Sequence, residues 1–196
     1  MDPLKFLQWN ARSIQTKKHE LIHLANNFSP SVICITETWL KQSHNFSLTG
    51  YSSYCDDRVD RYGGSMILVN NNISSVNLSI PAHNNNNINI VGVKIDGITI
   101  LSIYIPHPDS SILSFLHSIF LHFPPPLLVL GDFNCHNIMW GSEVNDAIGY
   151  DLGELLQELN FCILNNGLPT RITAPGQRKS CIYLSFCSNN LSTLLQ

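Results

Sequence analysis

Two runs of the chain, Val32-Ile33-Cys34-Ile35 and Leu127-Leu128-Val129-Leu130, are apolar at every position and too short to be helices. A strand wetted on one face alternates apolar with polar residues, so an unbroken apolar run predicts a strand covered on both faces. A fold with at least one layer above and one below each such strand is therefore required. Both runs also end on polar groups, Thr36-Glu37-Thr38-Trp39 in one case and Gly131-Asp132-Phe133-Asn134 in the other. Acids and amides held just beyond rigid strands are a common way to preorganise a site. Asn10 follows the first strand-like run, Leu4–Gln8, in the same manner.

The remaining pattern supplies the covering layers. Thr16 to Asn27 reads as a helix with Leu21, Ile22 and Leu24 apolar, stopped by Pro30. Ile112, Leu113, Leu116, Ile119, Phe120 and Phe123 share one helical face, and Pro124-Pro125-Pro126 ends it. Leu152, Leu155, Leu156 and Leu159 predict a third helix, followed by a short strand Cys162–Asn165 and a last one from Cys181 to Cys187. Between Tyr51 and Ile103 the pattern predicts a β-meander: Tyr51–Cys55, Ser65–Val69, Ile73–Ile80, Ile88–Ile95 and Ile98–Ile103. Asp96-Gly97 between two alternating runs marks a tight hairpin, and the Asn84–Asn87 tract a loop tip. The expected architecture is a mixed α/β sandwich with antiparallel sheets inside and helices outside. No repeat or composition break divides residues 1–196, which are expected to form one domain.

Composition narrows the function classes. With 44% hydrophobic and only 13% charged residues, against roughly 25% in an average soluble domain, the chain is not disordered. Its 11 basic and 14 acidic residues give a net charge of −3, so any nucleic-acid contact must be local rather than driven by a basic surplus. No apolar run approaches the ~18 residues of a membrane span, and no membrane association is expected. Six cysteines without a C-x-x-C pair argue against a zinc cage or disulfide framework. Met1-Asp2-Pro3-Leu4-Lys5 lacks the basic start of a secretory signal, so a reducing compartment, nucleus or cytoplasm, is expected. If the strands ending at Asn10, Glu37 and Asp132 are neighbours, two carboxylates and amides converge. Such hard oxygen ligation suits Mg²⁺ or Mn²⁺ rather than zinc. Taken singly, each acid reads equally as a solvated loop residue.

Six motifs in order resolve that ambiguity. Trp9-Asn10, Thr36-Glu37-Thr38-Trp39, Arg61-Tyr62-Gly63-Gly64, Ile103-Tyr104-Ile105-Pro106, Gly131-Asp132-Phe133-Asn134 and Leu164-Asn165-Asn166-Gly167-Leu168-Pro169-Thr170 span nearly the whole chain. Together they resemble the endonuclease/exonuclease/phosphatase superfamily, and within it the apurinic-endonuclease-like domain of jockey-type non-LTR retrotransposons. Cys135-His136-Asn137-Ile138-Met139-Trp140-Gly141 strengthens the likeness to the retrotransposon branch. The resemblance implies a four-layer α/β/β/α sandwich of the DNase I-like type, Mg²⁺ (or Mn²⁺) as cofactor and DNA as partner, with no stable protein partner expected. It implies that Glu37 holds the metal, with Asn10 supporting it or contacting phosphate. Tyr104 would donate its phenol to the scissile phosphate, Asp132 would orient or deprotonate water, and Asn134 would fix Asp132 and the phosphate. Arg61, His136, Trp140 and Thr170 fall on the substrate side, with Arg58 and Lys41 on nearby loops.

The chain departs from that family at its end. Where the family has an acid, Ser180-Cys181-Ile182-Tyr183-Leu184 carries Tyr183, and no Asp, Glu or His follows Glu158, so the family's catalytic histidine has no counterpart. The domain is expected to be incomplete at its C-terminus, lacking final strands and leaving an exposed apolar edge at Cys181–Phe186. Three readings follow: a Mg²⁺-dependent DNA-nicking domain, a catalytically inactive truncated remnant that binds metal or nucleic acid weakly, or a hydrolase of small phosphodiesters.

Overall fold

The computed structural model describes residues 3–41, 45–60, 62–82, 87–171, 176 and 178–193. The first apolar strand is reached through a crossover unit. β1 (Phe6–Asn10) leads to α1 (Lys18–Phe28), which returns the chain to β2 (Val32–Thr36), parallel to β1. Leu21 and Ala25 of α1 bury against this pair, and Ser29 in the left-handed region with Pro30 behind it ends the helix. A hairpin of β3 (Tyr51–Asp56) and β4 (Ser65–Asn70) completes a sheet of order β1-β2-β4-β3.

The chain then passes to a second sheet. β5 (Val76–Leu78), β6 (Asn89–Ile95) and β7 (Ile98–Tyr104) run antiparallel, with the β6–β7 turn at Asp96-Gly97, both at positive φ. Asp109 caps α2 (Ser110–His122) by accepting from the N–H groups of Ser111 and Ile112. That helix crosses to β8 (Leu127–Asp132), parallel to β7. After a single 3-10 turn at Ile138–Trp140 come α3 (Ala147–Glu158), β9 (Phe161–Ile163), β10 (Tyr183–Ser188) and a short α4 (Asn189–Ser192). The second sheet has the order β5-β6-β7-β8-β10-β9.

Three apolar layers hold these parts together. Leu21 and Ala25 pack with Ile33, Ile35, Met66 and Leu68 on the outer face of the first sheet. Cys34, Ile67 and Val69 meet Val93, Ile100, Leu128 and Leu130 between the sheets. Ile103, Val129, Leu184 and Phe186 pack against Leu116, Phe120, Leu152 and Leu156 of α2 and α3. The result is the expected α/β/β/α sandwich.

Four expectations are corrected. Neither sheet is purely antiparallel, because α1 and α2 are crossover helices and each returns a parallel strand. The run from Tyr51 to Ile103 is not one meander: β3 and β4 lie in one sheet and β5–β7 in the other. The segment Cys181–Phe186 is not an exposed edge, since β10 sits between β8 and β9 with Cys181, Ile182, Leu184 and Phe186 buried. The strand expected over Ile73–Ile80 pairs only at Val76–Leu78, with β6 alone beside it. Of the Asn84–Asn87 loop tip, only Asn87 lies within the described residues.

Candidate active site

Side chains on directly paired residues of neighbouring strands point to the same face, so strand register defines rows. On the inner face of the second sheet, Asn89, Tyr104, Asp132 and Tyr183 are successive register partners across β6, β7, β8 and β10. On the first sheet Asn10, Thr36, Ser65 and Asp56 form the equivalent row across β1, β2, β4 and β3. The two rows face one another at one end of the sandwich and are joined by polar contacts. Asn89 donates to Asp56 Oδ2 at 3.0 Å and accepts from the Gly64 N–H at 3.1 Å. The Ser65 hydroxyl donates to Ser102 Oγ at 2.8 Å, and Gln8 Nε2 donates to the Gly131 carbonyl at 2.6 Å.

Asn10 is the centre of this end. Its Nδ2 donates to Glu37 Oε1 at 2.8 Å and to Asp132 Oδ2 at 2.7 Å, so one amide bridges acids carried by different sheets. An asparagine has the two N–H donors this needs and no charge of its own. Among the described residues its Oδ1 is buried without a hydrogen-bond partner, as is Oγ1 of its neighbour Thr36. Glu37 and Asn134, just past the ends of β2 and β8, both hold left-handed φ of 52° and 48°. Such conformations cost of order 1 kcal/mol or more in non-glycine residues and gather at functional sites.

Asp132 is 1% exposed, and burial pushes its carboxyl up to about 7. The Glu37 charge pushes the same way, while the Asn10 bond, the Asn134 N–H at 3.3 Å and Arg171 oppose it. Tyr104 is raised well above the ordinary phenol range, first by burial and then by Glu37 and Asp132. Tyr183 is pushed up to about 12 by burial and the same two acids. Both phenols are therefore neutral donors at working pH.

The structure brings Asn10, Glu37, Tyr104, Asp132 and Asn134 together. Asn134 acts on Asp132 through its backbone N–H, and its side chain instead donates to the Ile105 carbonyl at 3.0 Å. Trp140 does not line the site: it is fully enclosed in the core beneath α3, so its part is to pack. His136 is half-buried, its N–H donating to Asp146 Oδ2 at 2.9 Å and its ring 3.4 Å from Ser142 Oγ, contacts that brace the start of α3. Thr170 Oγ1 accepts from the N–H groups of Ile182 and Tyr183, both at 3.1 Å, and so anchors the entry to β10. Arg61 lies outside the described residues. Arg58 pairs in a fork with Asp60, at 2.9 and 2.8 Å, and its charge reaches Tyr104.

Two cationic residues were not singled out in the sequence. Arg12 Nε lies 3.8 Å from Glu37 Oε2, with its side chain 65% exposed, and Arg171 acts electrostatically on Asp132 and Tyr183. The available signal was adjacency: Arg12 follows Asn10 by two residues and Arg171 follows Thr170. With Arg58 they place three guanidinium groups around a site rich in acids, on a chain of net negative charge.

Among the described residues no group of three or more His, Cys, Asp or Glu could cage a metal. What the site offers is the Glu37 carboxylate and the oxygen of the amide that binds it, Asn10 Oδ1, which has no partner among the described residues; both donors are oxygens. That fits Mg²⁺, which keeps several waters and is commonly bound through one or two carboxylates. It does not fit a soft metal.

A two-sheet sandwich flanked by helices, with acids and amides gathered at one end of the strands, is the four-layer scaffold of the DNase I-like class. The chain belongs to the endonuclease/exonuclease/phosphatase family, whose model matches residues 7–188. It is 26% identical over 189 residues to a probable RNA-directed DNA polymerase from transposon BS of Drosophila melanogaster, covering 93% of this chain and 21% of that protein. It is 24% identical to the RNA-directed DNA polymerase from mobile element jockey of the same species, covering 85% and 19%. The chain thus spans about a fifth of the length of the curated relatives it matches. Among solved structures it is similar to the endonuclease domain of TRAS1, a telomere-specific non-LTR retrotransposon. The TM-score is 0.78 at 26% identity, covering 98% of this chain and 88% of that one. An AP endonuclease from Archaeoglobus fulgidus shares the fold, with TM-score 0.79 at 16% identity and coverage of 97% and 88%.

Proposed function

We propose that this chain is a divalent-cation-dependent endonuclease acting on DNA, of the kind that nicks a target for reverse transcription. The observation that carries the reading is the Asn10 amide bridging Glu37 and Asp132, with its own carbonyl oxygen buried and without a partner among the described residues. Glu37 and Asn10 would hold the cation, which would supply a Lewis acid for the phosphate. Asp132, lifted to about 7, takes a proton from the attacking water, because a base is most effective when its pKa lies near the working pH. Asn10 and the Asn134 N–H fix the two carboxylate oxygens, so the base is held in one orientation. Tyr104, kept neutral, donates a hydrogen bond to a phosphate oxygen, and Arg12, Arg58 and Arg171 attract the polyanion locally. The likeness to the TRAS1 endonuclease domain and to retrotransposon polymerases supports DNA over a small phosphodiester as substrate.

The test is relaxation of supercoiled plasmid by the purified chain with Mg²⁺, beside EDTA and Asp132→Ala controls. Nicking that disappears in both controls is the expected result. A folded sample that binds DNA without nicking it would replace the reading with that of an inactive binding domain. Tyr183, standing where the family resemblance implies an acid, favours that second reading.

A further inference from the structure

Tyr183 stands where the sequence resemblance expects an acid, and on that ground it reads as a defect. The geometry points to another role. Resting on the nuclease reading above, we infer that Tyr183 is a second hydrogen-bond donor to the substrate phosphate, paired with Tyr104 across Asp132.

Register carries the argument. Tyr104 and Tyr183 are the direct partners of Asp132 on its two neighbouring strands, one parallel and one antiparallel, so all three side chains leave the same face at the same level. Adjacent strands are about 4.8 Å apart, which sets the two tyrosines about 10 Å apart at the backbone with the shorter carboxylate between them. Among the described residues neither phenol hydroxyl has a hydrogen-bond partner, although Tyr104 is buried and Tyr183 half-buried. Tyr183 lies within electrostatic reach of Asp132, Glu37, Arg171 and Arg12, the groups that surround the proposed phosphate position.

Its backbone is held for such a task. The Tyr183 N–H is fixed on Thr170 Oγ1 at 3.1 Å, and its carbonyl accepts from Asn165 Nδ2 at 2.9 Å. Asn165 Oδ1 also accepts from the Ser185 N–H at 2.9 Å. The motif around Asn165 and Thr170 thus serves to aim β10. A phenol cannot replace an imidazolium as a charge donor, but it supplies a neutral donor to a phosphate oxygen. Arg171 supplies positive charge from the same side.

The experiment compares wild type with Tyr183→Phe, which keeps the ring and removes only the hydroxyl. Loss of one transition-state donor typically costs ~10²–10³ in rate, so Tyr183→Phe is expected to lower single-turnover nicking at least tenfold. The thermal midpoint should stay unchanged. Inorganic phosphate, titrated by calorimetry with Mg²⁺, should bind at least threefold more weakly to the variant. Equal phosphate affinity in wild type and Tyr183→Phe would overturn the assignment even if the wild type proves unable to cut DNA. A wild type that does not nick, with phosphate binding still weakened by Tyr183→Phe, would sink the nuclease reading alone. Tyr183→Asp sharpens the comparison: it adds a third carboxylate beside Asp132 and Glu37 and should fall below Tyr183→Phe in both measurements.

Discussion

The two ends of the sheet sandwich are made from the same strands and held by different forces. At one end, Cys34, Ile67, Val69, Val93, Ile100 and Leu128 interlock, and the polar side-chain group among them is the Cys34 thiol, hydrogen-bonded to Ser102. At the other, the same inner faces carry Asn10, Thr36, Asp56, Asn89, Tyr104, Asp132 and Tyr183. β8 shows the change within one strand: Leu128 and Leu130 fill the inter-sheet core, and two residues on Asp132 enters the polar row. Apolar burial stabilises by ~25 cal/mol per Å² with no directional demand. A buried carboxylate gains only if every partner is in place, and here Asn10 Oδ1 and Thr36 Oγ1 have no partner among the described residues. The first end holds the fold, and the second draws on that stability to keep an acid ready.

The largest effect should come from the polar end. Asp132→Ala is expected to reduce Mg²⁺-dependent nicking by ~10³ or more if it is the base, while the unfolding midpoint in urea stays level or rises. A large loss of stability would mean that Asp132 holds the sheets together rather than serving chemistry. The opposite behaviour is expected at the apolar end. Leu128→Ala should cost ~3 kcal/mol of stability by creating a cavity, with the activity of the remaining folded fraction unchanged. Equal damage to both quantities would blur the division between the two ends.

A third effect is a slope with pH, measured without divalent cations. The Asp132 carboxyl is raised to about 7 in the folded chain, against ~4 when unfolded. Between those values the native state keeps a proton the unfolded state has released, so stability is fully present below ~4 and falls as pH rises to about 7, where the slope vanishes. The fall should approach ~1 kcal/mol per pH unit, and Asp132→Asn should flatten it. Chemical denaturation at pH 5 and 7.5 for both proteins decides this. The smallest effect is expected at the inner edge of the polar end, where Ser65 donates to Ser102, two residues before Tyr104 on β7. Ser102→Ala should cost ~1 kcal/mol and leave nicking alone.

What the sequence disclosed follows the same division. Strand positions with one dominant requirement were legible: unbroken apolar runs gave β2 and β8, and Asp96-Gly97 gave the β6–β7 turn. Asn10, Glu37 and Asp132 were legible because polar residues at the ends of such strands stand out. Properties that arise between segments were not. Nothing local in Tyr51–Ile103 says that the chain changes sheets after β4, and local pattern does not say that β10 inserts between β8 and β9. Trp140 reads as a substrate contact from its motif and is enclosed by α3 only in three dimensions. Arg12 and Arg171 acquire meaning from loops that converge from distant parts of the chain, a matter of tertiary placement rather than residue type.

The bridging amide of Asn10 has a consequence for how such a chain drifts. Its Nδ2 is the side-chain donor that Asp132, buried in the sheet sandwich, relies on. A copy that keeps Asp132 still has that carboxylate to satisfy, and replacements at Asn10 would leave it without the donor. Copies that have lost activity should therefore keep this residue longer than they keep exposed ones such as Arg12. Survival of the amide marks an intact scaffold, and survival of the exposed arginines is the better sign of continued use.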